Sequence, residues 1–287
     1  MEGRVALIGK PLRRRHGAVM HNAAFAACGM RAQAELVELD EVELPSFVES
    51  LKKPMWIGFQ VTSPYKRSIM GLLDHIEDDA EIIGAVNSGI REPNATLTGF
   101  NTDMPGWLDA VRRELSFDIR GSRVLLLGAG GVAHAIAYAC VAQGADALTI
   151  ADQMPEAAAR LAKRLRSVDT QVTSTRTGTD WAHASLLDCD LLINATTVGM
   201  TVPGPLVDVS ACQPHTRVFD AVFSPPMTEL VRAARARGLM AVNGGGMLVS
   251  QAAIAFERWT GRTDVYDVME AAVRPLLMAM PGSHPPD

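Results

Sequence analysis

The sequence predicts an α/β fold in two domains, and three observations carry that expectation. Strand-like and helix-like segments alternate almost throughout, a rhythm that implies parallel sheet with helices on both faces. A glycine turn, Gly128-Ala129-Gly130-Gly131, joins an apolar strand to an apolar helix. The chain has 287 residues, 48% of them apolar. At ~100–200 residues per domain that length implies two domains, each with a sizeable core.

The elements follow in order. Arg4–Ile8 reads as an apolar strand stopped by Gly9 and Pro11, and Val19–Cys28 as a helix stopped by Gly29. Ala34–Leu39 is a strand, Glu43–Lys53 a helix, Trp56–Val61 a buried strand and Tyr65–Ile76 a helix by apolar spacing. Val86–Ile90 and Thr96–Phe100 are short strands, and Met104–Leu115 is the helix that opens the second block. Then come strand Arg123–Leu127, helix Val132–Gln143, strand Ala147–Ala151 and helix Pro155–Arg166. Strands Leu191–Asn194 and Arg217–Val222, helix Thr228–Arg237 and two terminal helices, Met247–Gly261 and Asp264–Met280, complete the pattern. The tail after Met280 reads as a frayed terminus.

Composition excludes several classes of function. A net charge of −5 argues against a general nucleic-acid binder, which would carry a basic face. Cys28, Cys140, Cys189 and Cys212 have no metal spacing and no secretory signal ahead of them, so a reducing cytoplasm is expected. The apolar stretch Val124–Ala145 is not a membrane span, because four glycines and His134 interrupt it. His21, His75 and His134 lack a second ligand at metal spacing.

Gly128-Ala129-Gly130-Gly131-Val132-Ala133 fits G-x-G-x-x-[GA]. The first glycine permits the turn, Gly130 lets backbone approach a pyrophosphate, and Ala133 permits close helix packing. Asp152 lies 24 residues beyond Gly128, near the ~20 expected of an acid that binds the ribose hydroxyls. The loop Asp152-Gln153-Met154-Pro155 holds no cation for a 2′-phosphate, so NAD is expected ahead of NADP. The plainer alternative is an ordinary turn with Asp152 as a helix cap.

Three polar segments precede that turn: Val61-Thr62-Ser63-Pro64-Tyr65-Lys66, Gly84-Ala85-Val86-Asn87-Ser88 and Asn101-Thr102-Asp103. A lysine, an aspartate and side chains that read hydroxyls suggest redox chemistry on a small polyhydroxylated molecule. These segments, together with Gly9-Lys10-Pro11, His21-Asn22, the glycine turn, Asn194-Ala195-Thr196 and Gly246-Met247-Leu248-Val249-Ser250-Gln251, resemble the shikimate/quinate dehydrogenase family over nearly the whole chain.

The resemblance implies a discontinuous substrate domain, residues 1–103 with 244–287, and a Rossmann-type cofactor domain, 104–243, with the terminal helices returning to the first domain. It implies reversible hydride transfer between a nicotinamide cofactor and a ring hydroxyl of shikimate or quinate. Lys66 and Asp103 would be catalytic, with Thr62, Asn87 and Gln251 reading the ring. Gly128, Gly130, Gly131, Asp152, Asn194, Thr196 and Gly244 would hold the cofactor. Alcohol oxidation releases a proton as well as a hydride, so a group must receive it. Lys66 either moves that proton or stays cationic beside the developing alkoxide. Taken without the resemblance, the favoured reading of Lys66 and Asp103 is a salt bridge between two turns, and the resemblance reverses that order.

The chain departs from the family pattern where two serines usually hold the substrate carboxylate. Those positions are Arg15 and Gly17. Arg15 reads in two ways, as a bidentate carboxylate ligand or as part of a solvated basic loop with Arg13 and Arg14. Phe223 stands where the family has tyrosine, and Ser88 replaces a threonine. The expected partner is a small carboxylated ring, with no nucleic acid and no membrane, and the chain acts as a monomer or homodimer. The rival readings are a non-catalytic NAD(H)- and carboxylate-binding sensor of the same fold, and a folate-type dehydrogenase, which Asp103 and Gln251 fit poorly.

Overall fold

The computed structural model describes residues 2–12, 15–165, 169–178, 185–204 and 206–278. Arg13, Arg14, the end of the predicted helix at Arg166 and the tail after Met278 lie outside them. The chain divides into two compact units, Met1–Gly106 with Val249–Leu276, and Trp107–Leu248 with Leu277–Asp287.

The first unit carries strands β1 (Glu2–Gly9), β2 (Arg31–Glu38), β3 (Trp56–Val61), β4 (His75–Ile76), β5 (Ser88–Arg91) and β6 (Leu97–Phe100). They form one sheet in the order β2-β1-β3-β5-β6-β4. β1 runs parallel to β2 and β3. β5 runs antiparallel to both β3 and β6, so this sheet is mixed rather than purely parallel. Helices α1 (His16–Ala27), α2 (Leu44–Ser50) and α3 (Asp78–Ile83) connect the strands. Ile8, Phe59, Ile69, Val86 and Leu97 bury in its core.

The predicted helix Tyr65–Ile76 does not form. The Lys66 carbonyl accepts from Val86 N–H at 2.9 Å, which takes it out of any helical ladder. A short 3₁₀ stretch, Ser68–Leu72, is all that remains before β4. The apolar spacing was real, but it serves burial of Ile69 against the sheet and not a helix. α3 escaped the sequence reading, although acids at Asp78, Asp79 and Glu81 and a left-handed Gly84 mark its two ends.

The second unit holds β7 (Arg123–Leu127), β8 (Ala147–Asp152), β9 (Gln171–Arg176), β10 (Leu191–Asn194), β11 (Arg217–Asp220) and β12 (Ala241–Asn243). Their order is β12-β11-β10-β7-β8-β9, and every pairing is parallel. This is the Rossmann arrangement, whose order reverses between β7 and β10. Val124–Leu127 and Leu191–Asn194 are buried throughout, as strands covered on both faces must be. Between the strands come α5 (Gly131–Ala142), α6 (Pro155–Arg164) and α7 (Glu229–Ala236). Thr228 caps α7 by accepting from Val231 N–H. α4 (Asp103–Leu115) leads into this unit, and α8 (Gly245–Thr260) and α9 (Tyr266–Met278) follow it. From Val249 to Leu276 these two helices cluster with the first unit.

Candidate active site

The turn after β3 is clamped at several points. Thr62 N–H donates to the Ile8 carbonyl at 2.9 Å, and Tyr65 N–H closes the turn onto the Thr62 carbonyl at 3.0 Å. The Tyr65 hydroxyl donates to the Leu39 carbonyl at 2.6 Å, and its ring is buried. Lys66 therefore leaves a fixed backbone. On the opposite side, Asn101 donates to the Ala85 carbonyl and accepts from Met104 N–H, which orients the start of α4. Asp103 is the first residue of that helix, where a carboxylate is favoured.

These two supports bring Lys66 Nζ within 2.6 Å of Asp103 Oδ2, with side chains 18% and 9% exposed. A pair so enclosed differs from a solvated surface bridge. Asn87 Nδ2 donates to Asp103 Oδ1 at 2.8 Å and to Thr102 Oγ1 at 3.0 Å. Thr102 N–H donates to Asn87 Oδ1 at 2.7 Å. A backbone N–H can only donate, so the orientation of the Asn87 amide is settled. Gln251, from α8, accepts at Oε1 from Gln60 Nε2 at 2.9 Å and from Thr102 Oγ1 at 3.5 Å. Lys66, Asp103, Asn87 and Gln251 thus form one polar cluster, with Thr62 in the turn that carries Lys66.

Arg15 is not part of this bonded cluster; it is exposed just ahead of α1. Gln60, Ser88 and Thr102 join the cluster without having been picked out as site residues. For Gln60 the signal is the period of β3, which sets it on the face of Gly58 and Thr62, away from buried Phe59 and Val61.

In the second unit, Gly128 has φ +108°, and a Cβ there would come within 2.8 Å of the Ala195 carbonyl oxygen. A Cβ on Gly244 would come within 2.8 Å of the Ala221 carbonyl carbon. Bare backbone at these two positions lets the carboxyl ends of the central strands pack closely. Gly130 and Gly131 have open space where a side chain would stand, so the turn presents its backbone N–H groups unobstructed. That geometry fits a pyrophosphate. Asp152 ends β8 and accepts from Ala129 N–H at Oδ2 and from Met154 N–H at Oδ1, each at 2.8 Å.

Asn194 is placed differently from a direct ligand. It is 1% exposed, with Oδ1 accepting from Thr196 N–H and hydroxyl and Nδ2 donating to Val198 O and Asp220 Oδ1. It shapes the loop that carries Thr196. Burial raises the Asp220 carboxyl above its ordinary range despite the donors around it. Among the described residues no group of three or more His, Cys, Asp or Glu could hold a metal ion, and no helix is long and apolar enough to cross a membrane.

Comparisons with known proteins agree on one family. The profile of the shikimate dehydrogenase substrate-binding domain matches residues 7–88, that of shikimate/quinate 5-dehydrogenase residues 109–204, and that of the shikimate 5′-dehydrogenase C-terminal domain residues 244–274. The shikimate dehydrogenase (NADP(+)) of Methanopyrus kandleri is 38% identical over 94% of both chains. Two solved structures align closely. Quinate dehydrogenase from Corynebacterium glutamicum in complex with NAD is 30% identical, with TM-score 0.88, covering 96% of this chain and 99% of that one. The 5-ketofructose reductase of Gluconobacter is 28% identical, with TM-score 0.87, covering 96% and 99%. The chain belongs to the shikimate/quinate dehydrogenase family.

Proposed function

We propose that this chain interconverts a ring hydroxyl and a ketone on shikimate or a close analogue such as quinate, with a nicotinamide cofactor as hydride partner. The observation that carries the proposal is the enclosed Lys66–Asp103 pair at 2.6 Å, braced by Asn87. A bound nicotinamide would supply the hydride acceptor. The chain's own residues must then receive the hydroxyl proton as the carbonyl forms. Asp103 accepts from both Lys66 and Asn87 and so aims the lysine, and the pair takes the proton at the reacting oxygen. Asn87, Thr62 and Gln251 read the neighbouring hydroxyls. A substrate lacking one of them would leave a buried polar group unpaired, which discriminates strongly. Arg15 meets the substrate carboxylate when substrate is bound.

The cofactor reading is NAD ahead of NADP. The relative from M. kandleri is named for NADP(+), whereas the C. glutamicum enzyme holds NAD. In this chain Asp152 is fixed beside the glycine turn by Ala129 and Met154, and its negative charge opposes a 2′-phosphate.

Two observations favour a second substrate class. The serine pair that normally meets a carboxylate is absent, and the 5-ketofructose reductase aligns over nearly the whole chain. A neutral keto sugar is the alternative substrate. A panel of shikimate, quinate and 5-ketofructose with NAD(H) and NADP(H), followed at the nicotinamide absorbance, decides among them. Shikimate with NAD is expected to give the highest kcat/KM. Lys66→Ala should lower the rate more than about tenfold. A smaller loss removes Lys66 from the chemistry, and a clear preference for the ketose removes the ring.

A further inference from the structure

His21 lies behind the substrate-reading amide, fully buried on α1, with its ring 5.0 Å from that of Trp259 and 6.4 Å from that of Phe256. Its Nε2 is 2.8 Å from Gln60 Oε1. Gln60 Nε2 donates in turn to Gln251 Oε1 at 2.9 Å and reaches Ser88 Oγ at 3.4 Å.

The direction of this chain follows from one further atom. Among the described residues, the buried His21 Nδ1 finds no hydrogen-bond partner. A lone pair left unpaired there is tolerable, whereas a buried, unpaired N–H is rare and destabilising. The proton of the neutral ring therefore sits on Nε2 and is donated to Gln60 Oε1. Burial lowers the ring's pKa to about 4, so it stays neutral near pH 7. With its oxygen held by His21, Gln60 can present only its N–H2 to Gln251, and Gln251 must turn its oxygen inward.

We propose that His21 and Gln60 are positioning residues that fix the polarity of Gln251, so that Gln251 meets the substrate as a hydrogen-bond donor. The ligand chemistry this selects is an acceptor oxygen on the ring at that position. This inference rests on the proposed function, because Gln251 is taken to read substrate. It refines the sequence expectation, in which Gln251 reads the ring with no direction assigned to its hydrogen bond. Neither His21 nor Gln60 touches the reacting atoms.

The test combines kinetics with a readout independent of turnover. His21→Phe keeps an aromatic ring in the cluster and removes the donor, and Gln60→Leu removes the link itself. Each should raise the KM for shikimate about tenfold, in line with one oriented hydrogen bond, with kcat within about threefold and the cofactor KM unchanged. The double variant should be no worse than the weaker single, because both act through one link. His21→Gln restores an N–H near Nε2 and should recover most of the affinity. Nitrogen-15 NMR of the wild type should show His21 as the neutral Nε2–H tautomer from pH 5 to pH 9. An Nδ1–H tautomer overturns the polarity. Variants that leave KM unchanged, or that move kcat and cofactor KM equally, overturn the positioning role. If the wild type turns over no shikimate, the proposed function fails, and the tautomer measurement still decides the direction of the chain.

Discussion

At the end of β11, Asp220 is 0% exposed and meets three donors: Asn194 Nδ2 at 2.9 Å, Val222 N–H at 3.0 Å and the Thr228 hydroxyl at 2.6 Å. No cation takes part in these bonds. Desolvation outweighs the donors, so its carboxyl titrates above the ordinary 3.8. Raising a folded-state pKa favours the protonated, neutral form. Its contribution to stability is therefore complete below about pH 4 and is lost as pH rises through the folded value. Asp220→Asn removes that titration. The unfolding free energy of the wild type, relative to Asp220→Asn, should fall as pH rises from about 4 through the raised folded value, with a slope of at most ~1.4 kcal/mol per pH unit. A difference that stays flat across that range would mean that Asp220 is ionised at no penalty. The placement of Asp152 at a strand end beside the glycine turn was legible from its spacing, because strand, turn and acid are near one another in the chain. The setting of Asp220 was not, since its donors come from residues 194, 222 and 228, and only folding collects them.

Among the elements, the join between α8 and the first sheet depends on one strand glycine, Gly58. A Cβ on Gly58 would come within 2.6 Å of Trp259 Cδ1, whereas one on Gly89 would meet the Phe59 ring on the opposite face. Trp259 lies on this bare patch and donates from Nε1 to the Gly89 carbonyl at 2.9 Å. Glycine normally weakens a strand, and here it admits the indole. Gly58→Ala should overpack the contact and destabilise the protein by about 1–3 kcal/mol, seen as a lower urea midpoint with an unchanged slope. A midpoint equal to wild type would show that Trp259 can move away freely. The same elements show what the sequence could reveal. Strands with continuous apolar runs, such as β7 and β10, stood out, and so did the amphipathic helices between them. β9 did not, because Gln171–Arg176 is mostly polar at an edge of the second sheet. The false helix at Tyr65–Ile76 had helical spacing but lost the Lys66 carbonyl to Val86, a partner that local pattern cannot supply.

For the whole molecule, the consequential feature is that the first unit is built from both ends of the chain. Phe256 lies 4.9 Å from Phe25, ring to ring, and Trp259 lies 5.0 Å from His21. Phe256, Met269 and Val273 are fully buried, and Trp259 nearly so. Each such side chain contributes about 1.5–3 kcal/mol by burial. Together the four rival the ~5–15 kcal/mol that stabilises a typical domain. The first 106 residues carry one core of their own, from Ala6 to Leu97, and the returned helices add burial comparable to a whole domain's net stability, whereas the sheet β7 to β12 is complete by Asn243. A chain ending at Leu248 should keep slow hydrogen exchange in β7, β8, β10 and β11 and lose it in β1, β3 and β5. Gln251 is lost in the same truncation, so shikimate turnover should vanish while NAD binding, followed by quenching or calorimetry, survives. Protection retained in β1 and β3 would show that the N-terminal segment folds unaided. The return of the chain would then serve the site alone and not the stability of the unit.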